Sequence, residues 1–173
     1  MASPIFRRER GAVSRARPEE LEFVPGDLGD LLARLAEIKA SGTGWVNLRP
    51  VIDREDEPPP PGPLAIFGGS PHKVPLATWA PGTRAPNGTV KPTAVGLQHS
   101  SGPRVVARLR DLGLPLPEGW RVTQDHPRRG LVARLSTESS DAEAVDWLVR
   151  AGTALCAVPA TGRWRASMHS GLG

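Results

Sequence analysis

The chain has 173 residues, 22 basic and 18 acidic side chains, a net charge of +4, one cysteine, five tryptophans and no tyrosine. That length supports one sizeable core, and a lone cysteine, Cys156, excludes an internal disulfide and a cysteine metal cluster. No segment reaches the roughly 20 consecutive apolar residues of a membrane span.

Residues 1–17 carry Arg7, Arg8, Arg10, Arg15 and Arg17 against Glu9 and lack hydrophobic periodicity, which reads as a disordered basic tail. The tail has no apolar run of the kind a signal peptide needs, so a cytoplasmic protein is expected. Arginine outnumbers lysine 19 to 3, a bias that fits a GC-rich bacterial genome and weakens arguments built on arginine number alone. Beyond the tail the chain is neutral but segregated: in 91–135 basic residues exceed acidic ones by five.

Residues 18–52 read as an extension of one helix and one strand. PEELEFVPG leads into a helix capped by Asp27, with Leu28, Leu31, Leu32, Leu35 and Ile38 on one face up to Gly42. Trp45–Ile52 follows as a strand whose Pro50 favours a sheet edge. Residues 53–63, DREDEPPPPGP, form an acidic, proline-rich loop or linker. In 64–92, Leu64–Phe67 and Val74–Trp79 are short strand candidates before a Gly/Pro loop that starts at Ala80.

Residues 93–169 carry the clearest pattern. TAVGLQH is a strand, and Ser100 or Ser101 with Pro103 starts a helix over 103–112, with Val105, Val106, Leu109 and Leu112 inward. Trp120, Val122 and Gln124 alternate with Arg121, Thr123 and Asp125 as a second strand. DHPRRG turns the chain, and Leu131, Ala133 and Leu135 face inward from a third. Ser140 and Glu143 make a capping-box pattern before a helix over 141–155, and Gly162–His169 is a fourth strand anchored by Trp164. This order predicts an α+β protein with a ferredoxin-like C-terminal region (split βαβ, order βαββαβ) and an N-terminal extension of a helix and short strands, packed as one domain with 18–92. Most of the tryptophans, Trp147 included, are expected in the core.

In that topology the first two strands end at one edge. His99, Ser100 and Ser101 then meet Asp125, His126, Arg128 and Arg129 beside the N-terminus of the 103–112 helix, whose free N–H groups favour an anion. Two arginines suited to carboxylate or phosphate strengthen an anion-binding reading with His99, Ser100, Ser101, His126, Arg128 and Arg129 as ligands. The same residues also have ordinary roles in turns and caps.

A catalytic reading uses Ser100 or Ser101 as nucleophile, His126 or His99 as base and Asp125 as orienter. Against it, Asp125 and His126 are neighbours on a strand and face opposite ways, and no nucleophile-elbow pattern surrounds either serine. His72, His99, His126 and His169 show no metal-ligand spacing, and GGSPHK at 68–73 lacks the full phosphate-loop pattern. The leading expectation is therefore a small binding or regulatory protein for an acidic small molecule or acidic partner surface, without metal or cofactor. Edge-to-edge homodimers are compatible with such a sheet. A hydrolase or transferase at the same rim, and nucleic-acid binding through the 1–17 tail, are the alternatives.

Overall fold

The structure, a computed structural model, describes residues 17–57, 73–84 and 86–169. Most of the basic tail, the Leu64–Phe67 strand candidate and His72 lie outside the described residues.

The elements in chain order are β1 (Glu19–Phe23), α1 (Gly29–Ser41), β2 (Trp45–Pro50), β3 (Leu76–Ala80), β4 (Thr83–Arg84), β5 (Val90–Lys91), β6 (Ala94–Gln98), α2 (Val105–Asp111), β7 (Arg121–His126), β8 (Gly130–Arg134), α3 (Asp141–Leu155) and β9 (Trp164–His169). They make a mixed α+β fold. A seven-stranded sheet has the order β1-β9-β2-β3-β6-β8-β7, and β4-β5 form a separate small hairpin. Every neighbouring pair in the large sheet is antiparallel. No helix among the described residues is long and apolar enough to cross a membrane.

The ferredoxin-like order requires the fourth strand of 93–169 to pair with the first, and here it does not. β8 does lie between β6 and β7, but β3 and β2 stand between β6 and β9. β3 is joined to β6 by the segment that carries the β4-β5 hairpin and pairs with it antiparallel from Leu76↔Gln98 to Ala80↔Ala94. With that side of β6 filled, β9 pairs with β2 and β1 instead.

Two readings of 18–52 also change. Glu19–Phe23 is a strand rather than a lead-in: Phe23 is buried and Leu21 packs against the core, while Glu22 receives hydrogen bonds from Arg163 and, at 2.8 Å, Arg165 of β9. The hydrogen bond from Arg165 and the charge of Arg163 hold the Glu22 carboxyl below the ordinary carboxylate range. Pro50 ends an internal strand, yet the pairing of β2 with β3 stops at Leu48, so its missing N–H falls where that side has no neighbour.

The helices cover one face of the sheet. Val46, Trp79, Val95 and Ala133 form one row of register partners, Leu48, Ala77, Leu97 and Leu131 the next, and all are buried in one core with Leu31, Leu35, Val105, Leu109 and the inner face of α3. The intervening row, Ser167, Asn47, Thr78, Gly96 and Val132, is half-buried and carries no helical layer among the described residues.

α3 begins as expected, with Ser140 Oγ accepting from the Glu143 N–H at 3.0 Å. Trp147 is 5 % exposed, donates to Pro115 O at 2.9 Å and meets Trp120 edge to face at 5.5 Å, so it belongs to the core. Trp45 does not: it is 41 % exposed and stacks on His169 at 4.9 Å. Cys156 is half-buried.

Gly152 of α3 allows the Trp164 ring to approach the helix, since a Cβ there would stand 2.6 Å from the ring. Trp164 is 1 % exposed and has nowhere to move. Gly152→Ala is predicted to lower stability by about 1–3 kcal/mol through overpacking, even though alanine would gain about 1 kcal/mol in an open helix. Thermal melts check the sign; a higher Tm in the variant would contradict the close packing.

Candidate functional site

The edge singled out by the sequence is assembled, but its groups are committed to holding the fold. The Asp125 carboxylate accepts from the Val105 N–H at 3.2 Å and the Val106 N–H at 3.4 Å. It caps α2 from a different strand, and the helix starts two residues later than expected, after Arg104 at φ 58°. The anion that the α2 N-terminus favours is thus supplied from within the chain. Neither Ser100 nor Ser101 caps the helix, because α2 has no local side-chain cap.

The histidines are equally occupied. His99 is 3 % exposed, and its Nδ1 accepts from the Ser101 N–H at 3.2 Å. His126 Nδ1 accepts from the Arg128 and Arg129 N–H groups at 3.1 and 3.3 Å, closing the β7-β8 turn. Gln124 stitches the same turn by donating to Arg129 O at 2.9 Å and Gly130 O at 3.2 Å. With Nδ1 accepting, a neutral His126 carries its proton on Nε2 and presents a donor there, the wrong form for a base. No hydrogen bond between described residues joins a serine hydroxyl to His99 or His126. Arg128 and Arg129 are exposed and form no ion pair among the described residues. No group of three metal-ligating side chains forms among the described residues.

A bulge explains why Asp125 points to α2. Between Val122 and Gln124 the β7-β8 register shifts by one residue, so Val122 and Asp125 share the helix-covered side while Arg121, Gln124 and His126 pair on the open side. Strict alternation had put Arg121 and Asp125 together.

The same register creates a basic site that the sequence reading missed. Arg121 and Arg134 are direct cross-strand partners. They line a groove of about 790 Å³ with Arg84 and Lys91 of the β4-β5 hairpin and Lys39 of α1. Lys39 is paired with Asp141 at 2.9 Å, whereas the other four form no ion pair among the described residues. Among the described residues no acidic side chain lines the groove, and the hydroxyls of Thr83, Ser136 and Thr137 stand among the cations. Like charges placed directly opposite on a sheet repel, and an anion between them relieves that repulsion. The available signal in the sequence was the excess of basic residues over 91–135, but which of them meet depends on the bulge and the hairpin.

Comparison with protein-family models, curated proteins and solved structures finds no match to this chain.

The cap supplies a test of the edge. Asp125→Ala is predicted to cost about 0.5–2 kcal/mol, the usual value of a lost helix cap, with amide exchange over 105–111 rising more than elsewhere. Asp125→Asn keeps an acceptor oxygen and should retain part of the stability. Unchanged exchange in α2 on loss of the carboxylate would show that the helix does not depend on it.

Proposed function

We propose that this chain is a binding protein for an acidic ligand, which it holds in the basic groove between the β4-β5 hairpin and the β7-β8 pair. The observation that carries the reading is the direct Arg121–Arg134 pairing in a groove that also presents Arg84 and Lys91 and has no acidic lining residue among the described residues. Guanidinium groups side by side suit a ligand with two or more anionic oxygens, such as a phosphate chain or a dicarboxylate. The neighbouring hydroxyls add uncharged hydrogen bonds that would help to orient it. The edge at His99, Ser100, Ser101, His126, Arg128 and Arg129 is secondary in this account, because its helix N-terminus and both histidines already serve the fold. The same commitment removes support from a hydrolase or transferase at Ser100, Asp125 and His126.

Inorganic tripolyphosphate is a suitable probe. A ligand at 100 times its Kd stabilises the native state by about 2.7 kcal/mol, which for a domain of this size raises Tm by several degrees. Arg121→Ala/Arg134→Ala should abolish the shift, and without ligand it should be no less stable than the parent, because a repulsive cross-strand pair is gone. Arg128→Ala/Arg129→Ala should keep most of the shift. The reverse pattern would move the ligand to the β7-β8 turn, and no shift in any of the three proteins would remove the proposal.

A further inference from the structure

The groove does not end at the arginine pair. Arg134 is the register partner of Ala94, which in turn pairs with Ala80. One step beyond the Val46–Trp79 pair, β2 presents Trp45 beside Ala80. A single row on the open face therefore runs from an exposed indole across two alanines to Arg134 and Arg121. Three strand spacings of about 4.8 Å separate Trp45 from Arg134, about 14 Å in all.

The floor beside this row is a trough of about 270 Å³, lined by Thr78, Ala80, Ala94, Gly96 and Val132, with Arg129 at its rim. Its middle is low because Gly96 has no side chain. A Cβ there would meet nothing closer than 3.8 Å, so the glycine is not demanded by packing. Amide side chains flank the trough: Asn47, fixed by the Thr78 hydroxyl at 2.9 Å and by His169 Nε2 at 3.2 Å, and Gln98 on β6. At the far corner Arg49 and Arg54 line another groove with Glu57 and with Arg165, which is paired with Glu22 at 2.8 Å, so cations stand at both ends of the face.

We propose that the open face of the sheet receives a single-stranded nucleic acid. Its phosphates would engage the arginines at the two ends, and its bases would lie over the trough and against Trp45. A flat apolar floor of small residues, an exposed aromatic, amide side chains and cations at strand distances, of which Arg121 and Arg134 form no ion pair among the described residues, match a polyanion that carries flat rings. A phosphate chain without rings has no use for the trough or the indole, and in a duplex the base faces are already stacked. The inference rests on the groove as an anion site and adds the class of ligand.

The test uses a fluorescent 12-residue oligothymidylate followed by anisotropy, its duplex with oligoadenylate, and tripolyphosphate in parallel. The single strand is expected to bind more tightly than the duplex, with log K falling linearly against log salt at about −0.7 per phosphate engaged. Trp45→Ala is expected to weaken the single strand about 5- to 150-fold, the range of one lost stacking contact. Gly96→Leu, which fills the trough, should do the same. Both variants should retain the parental circular dichroism and the parental tripolyphosphate affinity. If tripolyphosphate binds while the oligonucleotide is insensitive to Trp45→Ala and Gly96→Leu, or the duplex binds as well as the strand, the nucleic-acid inference fails and the anion groove stands. If neither probe binds, the groove reading fails with it.

Discussion

The fold depends on a sheet whose two faces have been made chemically different. One face places Val46, Trp79, Val95 and Ala133 in one row and Leu48, Ala77, Leu97 and Leu131 in the next, under a single helical layer. Burying a valine or leucine of these rows stabilises by about 1.5–3 kcal/mol before the conformational entropy is counted. The alternate positions hold amides, hydroxyls, alanines and arginines, which gain little from a second layer. Side-chain direction has a period of two along a strand, so the core and the open face were decided together.

That asymmetry sorts the polar residues into two classes. Those next to helices are consumed by them, as when Asp125 caps α2 and Ser140 caps α3. Those on the open side have other partners or none: Asn47 links Thr78 to His169, while Arg121 and Arg134 face each other without a counter-ion among the described residues. A chain selected only for stability would not keep two arginines in direct register, since an acidic residue at either position would turn the repulsion into attraction. This is why the open side, rather than the edge near α2, carries the functional reading.

Much of the C-terminal region was legible. α3 announced itself through Ser140, Glu143 and its apolar stripe, and β6, β8 and β9 through alternation and the Trp164 anchor. What escaped was non-local. β1 has the alternation of Leu21 and Phe23, but its three glutamates look like solvent until Arg163 and Arg165 meet Glu22. The displacement of β9 depends on β3 filling one side of β6, a competition between strands that no single segment encodes. The arginine pair was hidden for a smaller reason: one bulge residue between Val122 and Gln124 left Arg121 opposite Arg134, while Asp125 pairs with the inward-facing Leu131. A one-residue shift in a strand exchanges faces, and the arginine pair of the groove follows from it.

The most direct test of this account is NMR mapping of backbone amides and arginine Nε–Hε groups during titration with tripolyphosphate. Shifts should concentrate at Arg84, Lys91, Arg121 and Arg134, with residues 99–106 and 126–128 close to their free positions. Shifts centred on 99–106 and the β7-β8 turn, with the arginine pair silent, would contradict it.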